Sequence, residues 1–122
     1  MRIFKTKPFV RFVRKERIGD SVLREAVARA EAGLVDADLG AGLIKQRIAR
    51  PGKGRSGGYR TIIVFRSGSR SVFVYGFAKS ARRNIENDEL DSLKEAASYW
   101  LSANAEQIEQ EVILGNLQEI EP

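Results

Sequence analysis

The sequence predicts an α+β fold: an N-terminal strand and two helices, then an antiparallel three-strand meander, then C-terminal helices. Three observations carry that prediction. Apolar residues repeat at helical spacing in the first third of the chain and again after Asp88. Between those blocks lie three segments rich in β-branched and aromatic residues, the last two joined by a Gly/Ser turn. Strands that follow one another without intervening helices pair antiparallel, so the expected sheet is a meander with helices on one face. Its other face would then be basic.

Arg2 to Lys5 alternates enough for a short first strand. Thr6 has the side chain of a helix cap, Pro8 suits a first turn, and Phe9, Phe12 and Val13 share one side. A second helix starts at Asp20, with Val22, Leu23, Ala26, Val27 and Ala30 at helical spacing and Gly33 as its stop. Leu34 to Gly42, rich in Gly and Asp, reads as a connector. Leu43 to Ala49 is the first strand of the meander, with Ile44 and Ile48 on one side and Lys45 and Arg47 on the other. Tyr59 to Phe65 and Ser71 to Phe77 are the next two, and Arg66-Ser-Gly-Ser-Arg70 between them is a hairpin signal. Asp88 is placed to cap a helix on which Leu90, Leu93, Ala97, Trp100 and Leu101 form an apolar stripe. A shorter helix around Ala105 to Leu114 precedes a tail holding Leu117 and Ile120, so residues 104–122 form a C-terminal helical extension. No repeat or low-complexity linker interrupts the chain, which reads as one domain, 1–122.

The chain has no cysteine and no histidine. Disulfides and thiolate chemistry are excluded, zinc has a poor ligand set, and the commonest general base is missing. No cofactor is expected. No apolar run approaches the roughly 20 residues of a membrane-spanning helix, and the N-terminal RIFKTKPFVRF lacks a signal-peptide core. The expected location is the cytoplasm.

The formal net charge of +5 hides a strong segregation. Residues 1–83 hold 20 Lys/Arg against 6 Asp/Glu, whereas residues 84–122 hold 1 against 10. Between Asp38 and Glu86 there are 11 basic residues and no acid. Such one-signed stretches attract polyanions, nucleic acid first. The acidic C-terminal third either folds back to offset that field or contributes to a partner surface.

Within the basic stretch, RIARPGKGRSGGYRT (Arg47–Thr61) spells G-x-G-x-x-G at Gly52, Gly54 and Gly57. A dinucleotide loop needs a helix N-terminus after it to receive the pyrophosphate. The residues after Gly58 are YRTIIVF, a strand, so the glycines read instead as a long hairpin loop that lets Arg50, Lys53 and Arg55 reach outward. Lys45 and Arg47 project from one sheet face. Arg60 opens the next strand, Lys79 ends the one after, and Arg82 and Arg83 follow at the turn into the helix. Tyr75 and Phe77 alternate with Lys79 and offer a stacking surface, or serve as core. These cations can stabilise a pentacoordinate phosphate, and crowding lowers the pKa of a lysine among them toward proton exchange. RNA cleavage without metal or histidine is therefore chemically accessible, provided something else orients the substrate.

The run GLIKQRIARPGKGRSGGYRTIIVFRSGSRSVFVYGFAKSARRNIENDELDSLKEAA resembles the RelE/HigB-type toxins of bacterial toxin–antitoxin systems. The resemblance rests on G-G-Y-R at Gly57–Arg60, Y-G-F-A-K at Tyr75–Lys79, N-I at Asn84–Ile85 and E-L-x-x-L-K at Glu89–Lys94. It implies a RelE-like fold and a metal-independent, ribosome-dependent mRNA endonuclease that inhibits translation. Its partners would be the ribosome, mRNA and a cognate antitoxin of the helix-turn-helix DNA-binding kind. The resemblance assigns catalytic roles to Lys45, Arg47, Arg60, Lys79 and Arg82; the basic patch read from the residues themselves adds Arg50, Lys53, Arg55 and Arg83 as RNA contacts, with Tyr75 and Phe77 as the stacking candidates. Two positions depart from the pattern: Ser80 stands where an arginine often follows the lysine, and a C-terminal tyrosine for base stacking has no counterpart. Other readings remain open from the residues alone: a ParE-like toxin that binds gyrase, or a non-catalytic RNA- or ribosome-binding module. A membrane-surface role is disfavoured, because the basic residues lie on strands and not along an amphipathic helix.

Overall fold

A computed structural model describes residues 1–50, 54–82 and 84–121, with the backbone alone for 54–56. The chain runs β1 (Arg2–Thr6), α1 (Lys7–Glu16), α2 (Asp20–Glu31), β2 (Ala37–Gly40), β3 (Leu43–Arg50), β4 (Gly54–Arg66), β5 (Arg70–Ala78), α3 (Asn87–Ser102), α4 (Ala105–Ile113) and β6 (Leu117–Ile120). The fold is α+β, and β3, β4 and β5 form the expected antiparallel meander. That meander is the middle of a larger mixed sheet ordered β2-β3-β4-β5-β1-β6, in which β1 runs parallel to β5. Two strands correct the sequence reading. β2 lies in the stretch read as a connector, and β6 lies in the tail. Each is four residues long, too short for a periodic signal to distinguish it from a loop.

The larger correction concerns the faces of the sheet. On one face, Phe9 and Val13 of α1 and Leu23, Ala26, Val27 and Ala30 of α2 pack on Ile44, Ile48, Tyr59, Ile63 and Phe73. On the other, Ala97 and Ile108 of α3 and α4 cover Phe4, Leu43, Ile62, Val64, Val72 and Val74. Helices cover both faces because the strands carry apolar side chains at odd and even positions alike, as in Leu43-Ile44, Ile62-Ile63-Val64 and Val72-Phe73-Val74. One-sided cover would leave a whole apolar row in water, at roughly 1.5–3 kcal/mol per side chain. The basic residues accordingly do not fill a face. They gather at one end of the α3/α4 face, toward the β3–β4 turn.

Local signals fared unevenly. Gly33 ends α2 in the left-handed region, with φ +85°. Thr6 precedes α1 but does not cap it: its hydroxyl donates to the Phe73 carbonyl (3.2 Å), tying β1 to β5. At α3 the cap is Glu86, not Asp88, in a reciprocal box with Glu89. The hairpin at Arg66–Arg70 forms as read, closed by Ser69 N–H to Arg66 C=O (3.0 Å) with Gly68 at φ +75°. The long glycine loop does not: β4 begins at Gly54, opposite Arg50, which leaves only residues 51–53 between the strands. Gly76 serves packing, since a Cβ there would sit 2.5 Å from Phe12 Cε2. Its bare backbone lets α1 press its rings onto the sheet.

Candidate functional site

Strand register assembles the site. Arg47 of β3 lies opposite Arg60 of β4, which lies opposite Phe77 of β5; the next row is Lys45, Ile62 and Tyr75. Strict alternation from Phe73 would turn Tyr75, Phe77 and Lys79 toward α1. A bulge prevents this. Ile62 pairs with Tyr75 but Ile63 pairs with Phe73, so Val74 is the extra residue, and beyond it the side chains change faces. Tyr75 and Phe77 thereby join Arg47 and Arg60 on the α3/α4 side, and Gly76 takes the position under Phe12 and Phe9.

The cations differ in exposure. Arg47 and Lys79 are exposed, Lys45, Arg50 and Arg82 are half-buried, and Arg60 is buried. Burial, and then the Arg47 charge beside it, lower the Arg60 pKa from its ordinary value; Asp36 acts the other way. Asp36 accepts the Arg47 backbone N–H (2.7 Å) and lies 3.4 Å from an Arg29 nitrogen. Its own N–H donates to Gln46 Oε1 (2.7 Å). Gln46, fully buried, donates in turn to the Ala26 and Leu34 carbonyls. This polar tie holds the backbone beneath Arg47 to α2 and to the segment between α2 and β2.

Arg82 is held from three sides. Its guanidinium grips both carboxylate oxygens of Glu89, donates to the Tyr75 hydroxyl (3.0 Å) and lies 5.6 Å over the Phe77 ring. Tyr75 donates to Glu89 (3.1 Å). The Arg82 hydrogen bonds bring the Glu89 carboxyl down to about 2. Burial, followed by Glu89, raises the Tyr75 pKa, so that phenol stays protonated at neutral pH. Phe77 is buried, with its ring 6.1 Å from that of Tyr75, and Tyr75 is half-buried against the α3/α4 core.

At the rim, Arg50, Gly57, Lys79 and Ser80 line an open cleft of about 350 Å³. Arg50 lies over the Tyr59 ring (5.6 Å) and donates to Ser80 Oγ (3.3 Å), which brings a guanidinium to a position where the chain has serine. Lys79 is fixed through its backbone N–H on Gly58 C=O (3.1 Å). Lys53 and Arg83, both predicted RNA contacts, lie outside the described residues, as does the side chain of Arg55.

Of the predicted cations, the sheet brings Lys45, Arg47 and Arg60 into adjacent rows and places Lys79 two residues beyond Phe77. Arg82 is tied to a carboxylate. Two acids that organise the site escaped sequence reading. Glu89 stood inside the quoted E-L-x-x-L-K element, and a capping box with Glu86 was its available signal. Asp36 had none, because its role depends on the unforeseen β2–β3 pairing.

No curated protein matches the sequence. The family model described as the RelE toxin of the RelE/RelB toxin–antitoxin system matches residues 1–120. That match spans the strand, the helices, the cationic rows and the C-terminal extension alike, and the chain belongs to the RelE toxin family.

Proposed function

We propose that the chain acts as a ribosome-dependent mRNA endonuclease, in the cytoplasm where ribosomes are, with residues 1–122 working as one toxin domain. The observation that carries the reading is the in-register pair Arg47 and Arg60, set on one face with Lys45 and two aromatic rings, with Lys79 just past the end of β5. Two like charges across adjacent strands are unfavourable for the fold alone. A phosphate bound at that end relieves the repulsion.

The chemistry is transesterification. The 2′-oxygen attacks the adjacent phosphorus, the bond to the next nucleotide's 5′-oxygen breaks, and a 2′,3′-cyclic phosphate and a 5′-hydroxyl result. One proton leaves the 2′-OH and one reaches the departing oxygen, so no oxidant, reductant or metal is needed. Arginine stays protonated in proteins. Arg47 and Arg60 therefore stabilise the charge on the phosphorane, and proton transfer falls to Lys45 and Lys79. Tyr75, held protonated, is not the base. Arg82 and Glu89 hold the aromatic floor, and Arg50 supports backbone phosphates at the rim. The ribosome supplies the orientation of the message that so small a site lacks.

The test is induction in cells followed by mapping of mRNA 5′ ends, comparing the wild type with Arg60→Ala and Lys79→Ala. Codon-phased cuts that vanish in both variants support the nuclease. Arrest with intact messages and an SOS response sinks it in favour of gyrase inhibition, and arrest without either outcome points to ribosome binding alone.

A further inference from the structure

The hairpin end of the sheet, away from Arg47 and Arg60, carries a second row of cations. Arg66 of β4 lies opposite Arg70 of β5, and Arg70 is in register with Arg2 of β1. All three belong to the α3/α4 face, because they alternate with Val64, Val72 and Phe4 of that core. Like charges along one row repel. Burial first, and then the charges of Arg66 and Arg2, lower the Arg70 pKa. Only Arg2 is neutralised, by Glu109 and Glu119. Arg66 is exposed and forms no ion pair with a described residue. Arg70 is 8% exposed, and its NH1 is buried without a hydrogen-bond partner among the described residues.

Beside Arg70 the chain turns into α4, whose first turn is only half satisfied. A helix start leaves four N–H groups without an intrahelical acceptor. At α4 the capping box takes two of them: Asn104 N–H donates to Gln107 Oε1 and Gln107 N–H to Asn104 Oδ1, each at 2.8 Å. The N–H groups of Ala105 and Glu106 are the two that remain. Arg2, Ser69, Arg70 and Ala105 line a cleft of about 110 Å³ here, with Phe4 and Ile108 as its apolar wall. Glu106, Glu109 and Glu119 are not among its lining residues. At roughly 30 Å³ per water the cleft holds about three or four waters, or one tetrahedral oxyanion, and leaves a sugar or base outside.

We propose that this cleft binds one phosphate group, free or as the terminal phosphate of a mononucleotide, between the α4 N-terminus and the Arg66–Arg70–Arg2 row. The Ala105 and Glu106 N–H groups donate to its oxygens at the positive end of the helix. Ser69 adds a hydroxyl, and the Arg70 guanidinium gains the acceptor it lacks. Three guanidiniums against the two carboxylates held by Arg2 leave one positive charge for the anion to offset. The bound phosphate ties the β4–β5 hairpin and β1 to the start of α4, so it stabilises the fold. The inference does not rest on the nuclease reading, since the row shares no residue with the functional end.

The test is an NMR titration of the isotope-labelled chain with inorganic phosphate, and separately with a nucleoside 5′-monophosphate, at constant ionic strength. The Ala105 and Glu106 amides shift saturably. A response to the monophosphate as tight as that to phosphate, or tighter, makes the terminal phosphate the ligand, and a weaker one makes it the free ion; both support the site. Arg66→Ala alters an exposed side chain and weakens the response about threefold or more. Arg70→Met weakens it about tenfold or more, and Arg66→Ala carries the test if Arg70→Met lowers the folded fraction. Arg47→Ala leaves these two amides responding as in the wild type. No saturable shift, an unchanged response in Arg66→Ala, or equal shifts with chloride (an adventitious ion only) overturns the proposal. So does tighter binding at these amides of a short RNA without a terminal phosphate, which makes the cleft a nucleic-acid contact.

Discussion

Arg60 and Arg70 stand on the same face of the sheet and are almost equally buried, at 7% and 8% exposure. The pKa of each is lowered by burial first and by a neighbouring arginine second. Their surroundings differ. Arg70, beside the β4–β5 hairpin, donates to the Ala103 carbonyl (2.6 Å) at the corner between α3 and α4. It closes a helix end that would otherwise leave a carbonyl unsatisfied, and so pins the acidic helices to the sheet. Arg60, at the opposite end, is matched in register with Arg47, and the nearby Asp36 accepts Arg47's backbone N–H. Burial alone therefore does not separate a structural cation from a functional one. What separates them is what each adjoins: Arg70 reaches a helix-corner carbonyl through one nitrogen while its NH1 is buried without a hydrogen-bond partner among the described residues, and Arg60 lies in register with a second arginine.

The sharpest way to break this comparison is to remove each arginine in turn. Arg60→Ala lowers ribosome-dependent cleavage per folded molecule about a hundredfold or more. Arg70→Ala acts on stability instead. It destabilises by about 2–4 kcal/mol, from the lost hydrogen bond and the space left under the α3–α4 corner, while cleavage per folded molecule is unchanged. Urea titration beside a cleavage assay reads both. If the two variants lose stability equally and activity follows the unfolded fraction, the distinction collapses.

A smaller effect sharpens it. Arg47→Glu replaces the repulsion at Arg60 with an attraction across adjacent strands, for a gain of about 0.5–1 kcal/mol. It also abolishes cleavage. A stabilised, inactive protein is the signature of a site kept under electrostatic strain for function. An Arg47→Glu protein that is less stable than the wild type would falsify that view.

The same contrast explains what was legible in the sequence. The three central strands, both early helices and α3 announce themselves through runs long enough to show a period, and the cations on β3 and β4 could be assigned to one face because alternation is strict there. Tyr75 and Phe77 reach that face through the bulge at Val74, which leaves no mark in SVFVYGF. β2 and β6 exist because longer strands offer them edges, and their own four residues carry no such information. The two-sided core was visible in principle, since Ile62-Ile63-Val64 is apolar on both faces, but a half-buried meander was the simpler reading. In the sequence a hairpin arginine such as Arg70 looks like solvent-exposed charge; only the fold-back of α3 and α4 shows otherwise.

Arg82 is a third case, a cation near the functional end clamped by a carboxylate of its own. The Glu89 pKa falls from 4.5 to about 2, chiefly through the Arg82 hydrogen bonds. A carboxyl held more acidic in the folded state stabilises the fold above its unfolded pKa and loses that contribution as pH falls toward 2. Wild-type urea midpoints therefore drop between pH 4.5 and 2, and Glu89→Gln flattens that acid limb without altering the midpoint's trend near neutrality. An identical acid limb in both proteins would mean that Arg82 is not clamped by Glu89 in solution.

The smallest effect belongs to the hairpin end. Arg2, whose charge is among those lowering the Arg70 pKa, is bound through Nε and NH2 to Glu119 (2.8 and 2.9 Å) and also meets Glu109 (2.6 Å). Removing one acid leaves the other in place, and the pair is largely exposed to solvent. Glu109→Ala should therefore cost no more than about 0.5 kcal/mol, and less in high salt. A larger loss would mean that the acids around Arg2 are needed to offset the buried Arg70, as Asp36 offsets Arg60. The two ends would then differ in degree of compensation and not in kind. A double-mutant cycle of Glu109→Ala with Arg70→Met decides it: additivity keeps Arg70 a hydrogen-bonded strut, and coupling makes it part of a charge network.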